Sequence, residues 1–285
     1  MAHRPHRVLL SRLLPDAEPE EFDVREGQFH LVVIGPNRVV CLPRTDAAAA
    51  RLPRRAAVLR ILAGIDLGFR TPDPLEESGT DRVDEPPFLV MSRIPGTPLT
   101  ADVLEDPQMA DVVAGQYVGL LAGLARAGAD DSARAELPAP EDRWRRFAVD
   151  VRAELFGMMS AGGRRRAERE LGVLEDLPHL TAAVVHGDLG PENVLWESSD
   201  GFPSLSGVVD WDEVTLGDPA EDLAAIGAGY GDSLLGRVLT LGGWDDRETT
   251  TRIAAIRGTF ALQQALAAHR DGDGEELADG LAGYR

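Results

Sequence analysis

The chain has 285 residues and is strongly acidic, with 29 Lys+Arg against 48 Asp+Glu and a formal net charge of -19 at pH 7. The sequence contains no lysine, so all of these basic residues are arginines. The missing lysine excludes pyridoxal enzymes, Schiff-base aldolases and P-loop phosphate sites, each of which uses a lysine amine. The single cysteine, Cys41, excludes a disulfide framework and cysteine-cluster metal sites, and it is compatible with a reducing cytosol.

The acidic charge also limits the classes of partner. Nucleic-acid binding relies on cationic contacts to phosphate, so no nucleic-acid partner is expected. The charge allows a cationic small substrate, although solubility explains it at least as well. No apolar segment is long enough to span a membrane, and Arg12 interrupts the short apolar run near the N-terminus. These features predict a cytoplasmic protein with neither a signal peptide nor a membrane partner.

Residues 1–95 show the alternation and turn signals of β-strands, with one helical segment among them. In chain order, the predicted elements are a strand at 22–26, a turn at Gly27-Gln28, strands at 29–34 and 38–42, a helix at 46–63 and a strand at 88–91. Gly35-Pro36-Asn37 predicts a tight hairpin between the second and third strands. For the helix, Asp46 is the expected N-cap and Gly64 the stop signal, and Pro53 is the expected start of its well-formed part.

The rest of the chain has mainly helical periodicity. In chain order, the predicted elements are helices at 108–127, 143–160 and 164–176, strands at 182–185 and 205–209, and helices at 219–229 and 249–269. The tail after Asp271 is polar, which favours a frayed end. Residues 186–285 carry a formal charge of -13, against -6 for residues 1–185, so a cation would be drawn to the C-terminal third.

Three polar side chains directly follow or border predicted strands in residues 184–223. Asp188 and Asn193 are separated by the Gly190-Pro191 turn, so one tight loop can direct both toward the same point. Asp210 follows the strand at 205–209, and a hairpin between this strand and residues 194–196 would return it to Asn193. A carboxylate and an amide oxygen suit Mg²⁺, which prefers a few hard oxygen ligands together with substrate phosphates. Asp188 is then left to accept the proton of a hydroxyl group.

The same segment resembles a known family. The sequences HGDLGPENVL (186–195), VDWD (209–212) and GDPAEDL (217–223) are similar to motifs of the aminoglycoside/macrolide phosphotransferase family. That family resembles protein kinases in its catalytic loop and metal-binding motif. The combined pattern covers about 40 residues and is quite specific, whereas HGD alone would be weak.

The resemblance implies a fold and a set of roles. The expected fold is α+β and protein-kinase-like, with a small β-rich N-lobe (1–94), a hinge near 91–96 and a larger, mostly helical C-lobe (95–285). The implied roles are Asp188 as catalytic base, Asn193 and Asp210 as magnesium ligands, His186 as a support below the loop, and Asp218 and Asp222 as organisers of the following helix. The expected reaction transfers the γ-phosphoryl group of ATP or GTP to a hydroxyl of a small molecule.

The segment at 91–96 is interpreted as the nucleotide hinge. An adenine edge presents one donor beside one acceptor, which a backbone carbonyl and an N–H two residues apart can match. The Ser92 carbonyl and the Ile94 amide are the candidates, with Met91 against the ring. An ordinary buried strand and turn would also explain these residues.

Two positions depart from the family pattern. A lysine or arginine is expected on the third strand and a glutamate in the following helix, but this chain has Cys41 and Arg55 there. Arg44 or Arg55 is therefore the candidate cation for the nucleotide phosphates, and Arg55 would reach from the helix into the space above Cys41. The alternative hypothesis is a non-catalytic, nucleotide-binding pseudokinase.

The acidic residues of this segment are compatible with other interpretations. Asp212 and Glu213 extend the acidic cluster and are candidates for contact with a cationic substrate, although a solvated surface is the simpler reading. Metal-dependent phosphoester hydrolysis by the aspartates is a third functional class. The sequence does not identify the acceptor, because antibiotic-resistance enzymes share these motifs with metabolic kinases for choline, homoserine or sugar derivatives.

Overall fold

A computed structural model describes residues 7–16, 18–26, 30–78 and 85–285. Its N-terminal part is a five-stranded antiparallel sheet with strand order β1-β2-β3-β5-β4. The strands are β1 (Asp23–Glu26), β2 (His30–Ile34), β3 (Arg38–Pro43), β4 (Pro74–Glu77) and β5 (Leu89–Ser92). Two helices accompany this sheet, α1 (Arg7–Leu13) and α2 (Asp46–Ala63).

Alternation along β3 gives the sheet two apolar faces. Val40 and Leu42 share a core cluster with residues of α1, whereas Cys41 belongs to the main core together with α2. Because successive side chains point to opposite faces, Val39 and Cys41 are presented on the α2 side. Cys41 and helix α2 therefore lie on the same side of the sheet.

The C-terminal part is mainly helical, with two small sheets. Strands β6 (Thr97–Pro98), β8 (Val194–Ser199) and β9 (Phe202–Val208) form one of them, and β7 (Ala183–Val185) with β10 (Thr215–Gly217) forms the other. The helices are α3 (Pro107–Gly128), α4 (Asp131–Glu136), α5 (Arg143–Glu154), α6 (Ala161–Glu175), α7 (Ala220–Tyr230), α8 (Asp232–Gly242), α9 (Arg247–Gly258), α10 (Phe260–Asp271) and α11 (Gly274–Gly280). None of the helices in the described part of the chain is long and apolar enough to cross a membrane.

Several predicted elements of the N-terminal part are confirmed. The hairpin forms at residues 35–37, where the Gly35 amide donates to the Arg38 carbonyl over 2.9 Å. The first strand begins at Asp23, and the fourth predicted strand lies at Leu89–Ser92. The predicted turn at Gly27-Gln28, and Phe29 beside it, lie outside the described residues.

Helix α2 spans the predicted residues, but its N-cap and the position of Pro53 within it differ from the prediction. Thr45, and not Asp46, is the N-cap, because its side chain accepts a hydrogen bond from the Ala48 amide. Pro53 lies within the helix and does not begin it. The helix continues through the proline because buried residues on both sides, Leu52 and Ala56, fix the same face against the core.

Some expectations for the helical part are wrong in detail. The helix predicted at 143–160 ends at Glu154, and a short 3₁₀ turn at Phe156–Met158 follows it. The helix predicted at 249–269 is two helices, α9 and α10, which meet at Thr259. The C-terminal tail is not frayed, because α11 packs on α10 and Tyr284 is buried.

Candidate active site

The predicted catalytic loop, residues 186–193, begins where β7 ends. His186 follows the strand directly and is completely buried. The Asp188 backbone N–H donates to its Nδ1 over 3.2 Å, and the remaining ring nitrogen, Nε2, lies 2.9 Å from the Val209 carbonyl oxygen. Nδ1 is therefore an acceptor and Nε2–H a donor, which describes a neutral imidazole. Burial lowers the pKa of His186 and favours the same form.

Asp222 in the first turn of α7 holds the backbone of this loop. Its carboxylate accepts hydrogen bonds from the amides of His186 and Gly187 over 2.9 and 3.0 Å. Complete burial raises the pKa of Asp222 to about 7, and the two amide donors oppose that shift. The expectation that Asp222 organises its own helix therefore misses its main contacts, which are to the loop.

Gly187 permits a close approach of two chain segments. Its φ is 87°, which lies in the left-handed region, and a Cβ at this position would come within 2.9 Å of the Glu213 carbonyl oxygen. Glu213 itself is exposed and lies against the loop. The sequence-based candidate for substrate contact is thus beside the loop that carries Asp188.

Asp188 and Asn193 lie together, as their spacing predicts. The Asn193 side-chain amide nitrogen donates to the Asp188 carbonyl oxygen over 2.8 Å and to Asp188 Oδ2 over 3.0 Å. Asn193 is buried and Asp188 is exposed. Both contacts use the amide nitrogen of Asn193, so neither occupies its amide oxygen.

The β8–β9 hairpin brings Asp210 back to this point. Val194 pairs with Val208, and the Val209 amide donates to the Asn193 carbonyl oxygen over 2.9 Å. Asp210 follows with φ 64°, a left-handed conformation that aspartate tolerates better than most residues. Asn193 and Asp210 line the same cavity. The three side chains singled out in the sequence therefore lie in one region of the molecule.

The cavity has a volume of about 920 Å³ and lies between the N-terminal sheet and the catalytic loop. Among the described residues that line it are His30, Val39, Cys41, Arg55, Leu59, Met91, Ser92, Ile94, Asn193, Asp210 and Asp212. The three hinge candidates are thus at the cavity wall, and Met91 and Ile94 are largely buried. Of the two arginine candidates, Arg55 lines the cavity, whereas Arg44 is exposed after β3 and is not part of its described lining.

Arg55 reaches from α2 across the cavity to the loop after β9. Its Nη2 lies 3.2 Å from Asp210 Oδ1, and its Nε lies 3.1 Å from Asp212 Oδ1. The third nitrogen, Nη1, donates to Cys41 Sγ over 3.6 Å. Burial raises the pKa of the Cys41 thiol to about 11, so the thiol is neutral. Arg55 therefore occupies the space above Cys41, as proposed from the sequence.

His30 is a cavity residue that the sequence reasoning missed. It lies on β2, and its Nε2 is buried without a hydrogen-bond partner in the structure. Burial lowers the pKa of His30, and the nearby Arg55 lowers it further. A buried ring nitrogen without a hydrogen-bond partner costs stability unless a bound group pairs with it. The only signal in the sequence is a polar residue in an otherwise apolar strand.

The cavity offers oxygen ligands for a metal ion. The Asp210 carboxylate and the Asn193 amide oxygen are hard donors of the kind that Mg²⁺ binds. Across the described residues, no group of three or more histidine, cysteine, aspartate or glutamate side chains is arranged to hold a metal ion. A magnesium site here would therefore take its remaining ligands from phosphate groups and water.

Comparisons with known proteins decide the family. Residues 16–255 match the model of the phosphotransferase enzyme family. The chain belongs to this family. It is 68% identical over 281 residues to a viomycin phosphotransferase from Streptomyces vinaceus, and the match covers 98% of each chain. The predicted function, a phosphotransferase acting on a small molecule, is confirmed, and the non-catalytic alternative finds no support.

Solved structures of other antibiotic phosphotransferases show the same fold. The GDP complex of aminoglycoside 2'-phosphotransferase-IIIa matches with a TM-score of 0.82 and 18% identity, covering 99% of this chain and 97% of that one. Macrolide 2'-phosphotransferase type I matches with a TM-score of 0.72 and 23% identity, covering 99% and 97%. The predicted kinase-like fold, with a small sheet-containing lobe and a helical lobe, is thereby confirmed, while the exact division at residue 94 stays a prediction.

Proposed function

We propose that this phosphotransferase transfers the γ-phosphoryl group of ATP or GTP, as the magnesium complex, to a hydroxyl group of viomycin or a closely similar antibiotic. The observation that carries the proposal is that Asp188 is hydrogen-bonded to Asn193, and that Asn193 and Asp210 line the same cavity. The 68% identity to a viomycin phosphotransferase supports the choice of acceptor. The acidic C-terminal third favours an acceptor that carries positive charge.

Each residue of the site has a separate role in the proposed reaction. Asp188 accepts the proton of the acceptor hydroxyl as its oxygen bonds to the γ-phosphorus, and the nucleoside diphosphate leaves with the electrons of the broken P–O bond. The Asn193 amide holds Asp188 Oδ2, which directs the other carboxylate oxygen toward the acceptor. Buried His186 fixes the loop backbone from below. A magnesium ion held by Asn193 and Asp210 would supply positive charge to the phosphates.

The nucleotide is placed by the cavity wall in this proposal. The Ser92 carbonyl and the Ile94 amide would meet the base edge, with Met91 against the ring. Arg55 is the preferred cation for the phosphates because it lines the cavity and Arg44 does not. Such catalysis depends mainly on positioning and electrostatic stabilisation.

Replacing Asp188 with asparagine tests the role of the base. The Asp188→Asn variant should lose turnover by about 10²- to 10⁴-fold, because the proton acceptor is removed while the shape of the loop is kept. Its affinity for the magnesium nucleotide should stay within about twofold of the native value, since the base is not a phosphate ligand. The measurements are viomycin-dependent release of ADP or GDP and calorimetric titration with the nucleotide.

A matched control is Asp245→Asn, which removes the same charge from an exposed loop between α8 and α9. This variant should keep native turnover. Native turnover in Asp188→Asn would remove Asp188 from the mechanism. No phosphorylation of viomycin by the native chain would overturn the proposed acceptor.

A further inference from the structure

Arg55 carries a buried charge that needs a permanent partner. Only 15% of its side chain is exposed. A buried guanidinium is stable only when its donors are matched by acceptors of good geometry. Two carboxylates provide them, Asp210 at 3.2 Å and Asp212 at 3.1 Å.

The two carboxylates cannot have the same role during the reaction. Asp210 is the proposed magnesium ligand, so its oxygens would be shared with the metal when the nucleotide is bound. Asp212 contacts Arg55 through Nε, whereas Asp210 contacts it through Nη2. Because the Asp212 contact uses Nε, Nη2 can pass from Asp210 to phosphate oxygens without loss of the Asp212 contact, and Asp212 does not compete with the metal.

Cys41 completes the arrangement because it is small and uncharged. It lies on β3 beneath Arg55, with its sulfur 3.6 Å from Nη1, and it is completely buried. A cation at position 41 would face the guanidinium at contact distance and repel it. The cation beside Cys41 therefore comes from α2, as Arg55, and not from β3.

We propose that Asp212 is the positioning residue that holds Arg55 over the nucleotide phosphates, so that the ion pair of the cleft has its cation on α2 and its carboxylate on the loop after β9. This inference rests on the proposed nucleotide site. It replaces the interpretation of Asp212 as a contact for a cationic acceptor, because the geometry directs this carboxylate to Arg55. A relocated ion pair, Arg55 with Asp212, accounts for both departures from the family pattern, at Cys41 and at Arg55.

The test is a double-mutant cycle measured by nucleotide binding, which does not depend on turnover. Calorimetric titration with magnesium and a non-hydrolysable analogue of ATP or GTP, whichever binds more tightly, gives the Kd. Asp212→Asn should weaken binding about tenfold in the native background. The same substitution in an Arg55→Gln background should change the Kd by less than about twofold, because the group it positions is absent.

Two further variants keep the test decisive. Asp212→Glu retains the charge and should recover most of the affinity, and Asp245→Asn controls for the loss of one acidic charge elsewhere. Circular dichroism melting shows whether each variant is folded. If Asp212→Asn is unfolded, the Kd values of Asp212→Glu and Arg55→Gln show instead whether nucleotide binding depends on this ion pair. Acceptor KM is measured alongside in the active variants.

Two results would contradict the positioning role of Asp212. An equal effect of Asp212→Asn with and without Arg55, or a change confined to the acceptor KM, would overturn the positioning role and return Asp212 to acceptor binding. A native chain that binds nucleotide in this Asp212-dependent way but phosphorylates no acceptor would instead count against the proposed function alone.

Discussion

Because Cys41 is small and uncharged, the Arg55 side chain can occupy the space between β3 and α2. Cys41→Lys would place an ammonium group beside the Arg55 guanidinium, at a position whose native side chain is completely buried. Burial of a second cation next to the first should lower the free energy of unfolding by about 2–4 kcal/mol. The measurement is urea-induced unfolding followed by circular dichroism.

The matching double variant makes this prediction specific. Cys41→Lys/Arg55→Glu converts the repulsive pair into an ion pair and should recover most of the lost stability. Cys41→Ala is the control for loss of the thiol, with an expected cost of about 1 kcal/mol. Simple additivity of the Cys41→Lys and Arg55→Glu effects would show that the two side chains do not interact.

The sequence predicts some of these contacts and not others, and the reason is their separation along the chain. Asp188 and Asn193 are five residues apart on one loop, and Asp210 returns through one hairpin. The contact between Arg55 and Asp210 joins residues 155 positions apart, so no local pattern contains it. The orphaned nitrogen of His30 is likewise a property of packing between elements.

Among the elements, those with strong periodicity were predicted best. The bounds of α2 and α3 were nearly correct, because their buried faces recur at helical spacing. Strand β4 was missed because its sequence, Pro-Leu-Glu-Glu, lacks alternating apolar residues; its backbone pairs with β5 instead. The break between α9 and α10 was missed because it falls at Gly258-Thr259, and a single glycine inside a helical pattern does not by itself end a helix.

Helix α3 supports the catalytic loop by packing directly on the strand that precedes it. A Cβ at Gly128 would lie 2.5 Å from the Ala183 Cα in β7 and 2.9 Å from the Val184 nitrogen. These atoms are backbone and cannot rotate away, so α3 and β7 would have to separate. The packing therefore links the helix to the strand that carries His186 at its end.

Alanine substitutions at two glycines of α3 should have opposite effects on stability. Gly128→Ala should lower the free energy of unfolding by about 1–3 kcal/mol through overpacking. Gly119→Ala should raise it by about 0.5–1 kcal/mol, because that Cβ meets nothing within 4 Å and alanine favours the helix. Chemical denaturation of both variants provides the comparison, and a Gly128→Ala protein as stable as Gly119→Ala would contradict the close packing.

Charge is distributed unevenly along the chain. The formal charge of residues 186–285 is -13 out of a total of -19, and this part of the chain contains Asp188, Asp210 and the acidic loop beside them. Individual contacts to an acceptor were not predictable, because the acceptor surface depends on how several helices pack. The sign of the long-range field, however, follows from composition alone.

This field should make the Michaelis constants of the two substrates respond differently to salt. Raising the ionic strength from about 0.02 to 0.3 M shortens the Debye length to about 6 Å and screens the attraction of a cationic acceptor, so its KM should rise several-fold. The KM of the anionic nucleotide should stay constant or fall, because repulsion is screened as well, and kcat should change little. Initial rates at fixed magnesium, with viomycin as acceptor, provide the measurement. An acceptor KM that is independent of salt would show that recognition of the acceptor does not use the negative charge of the C-terminal third.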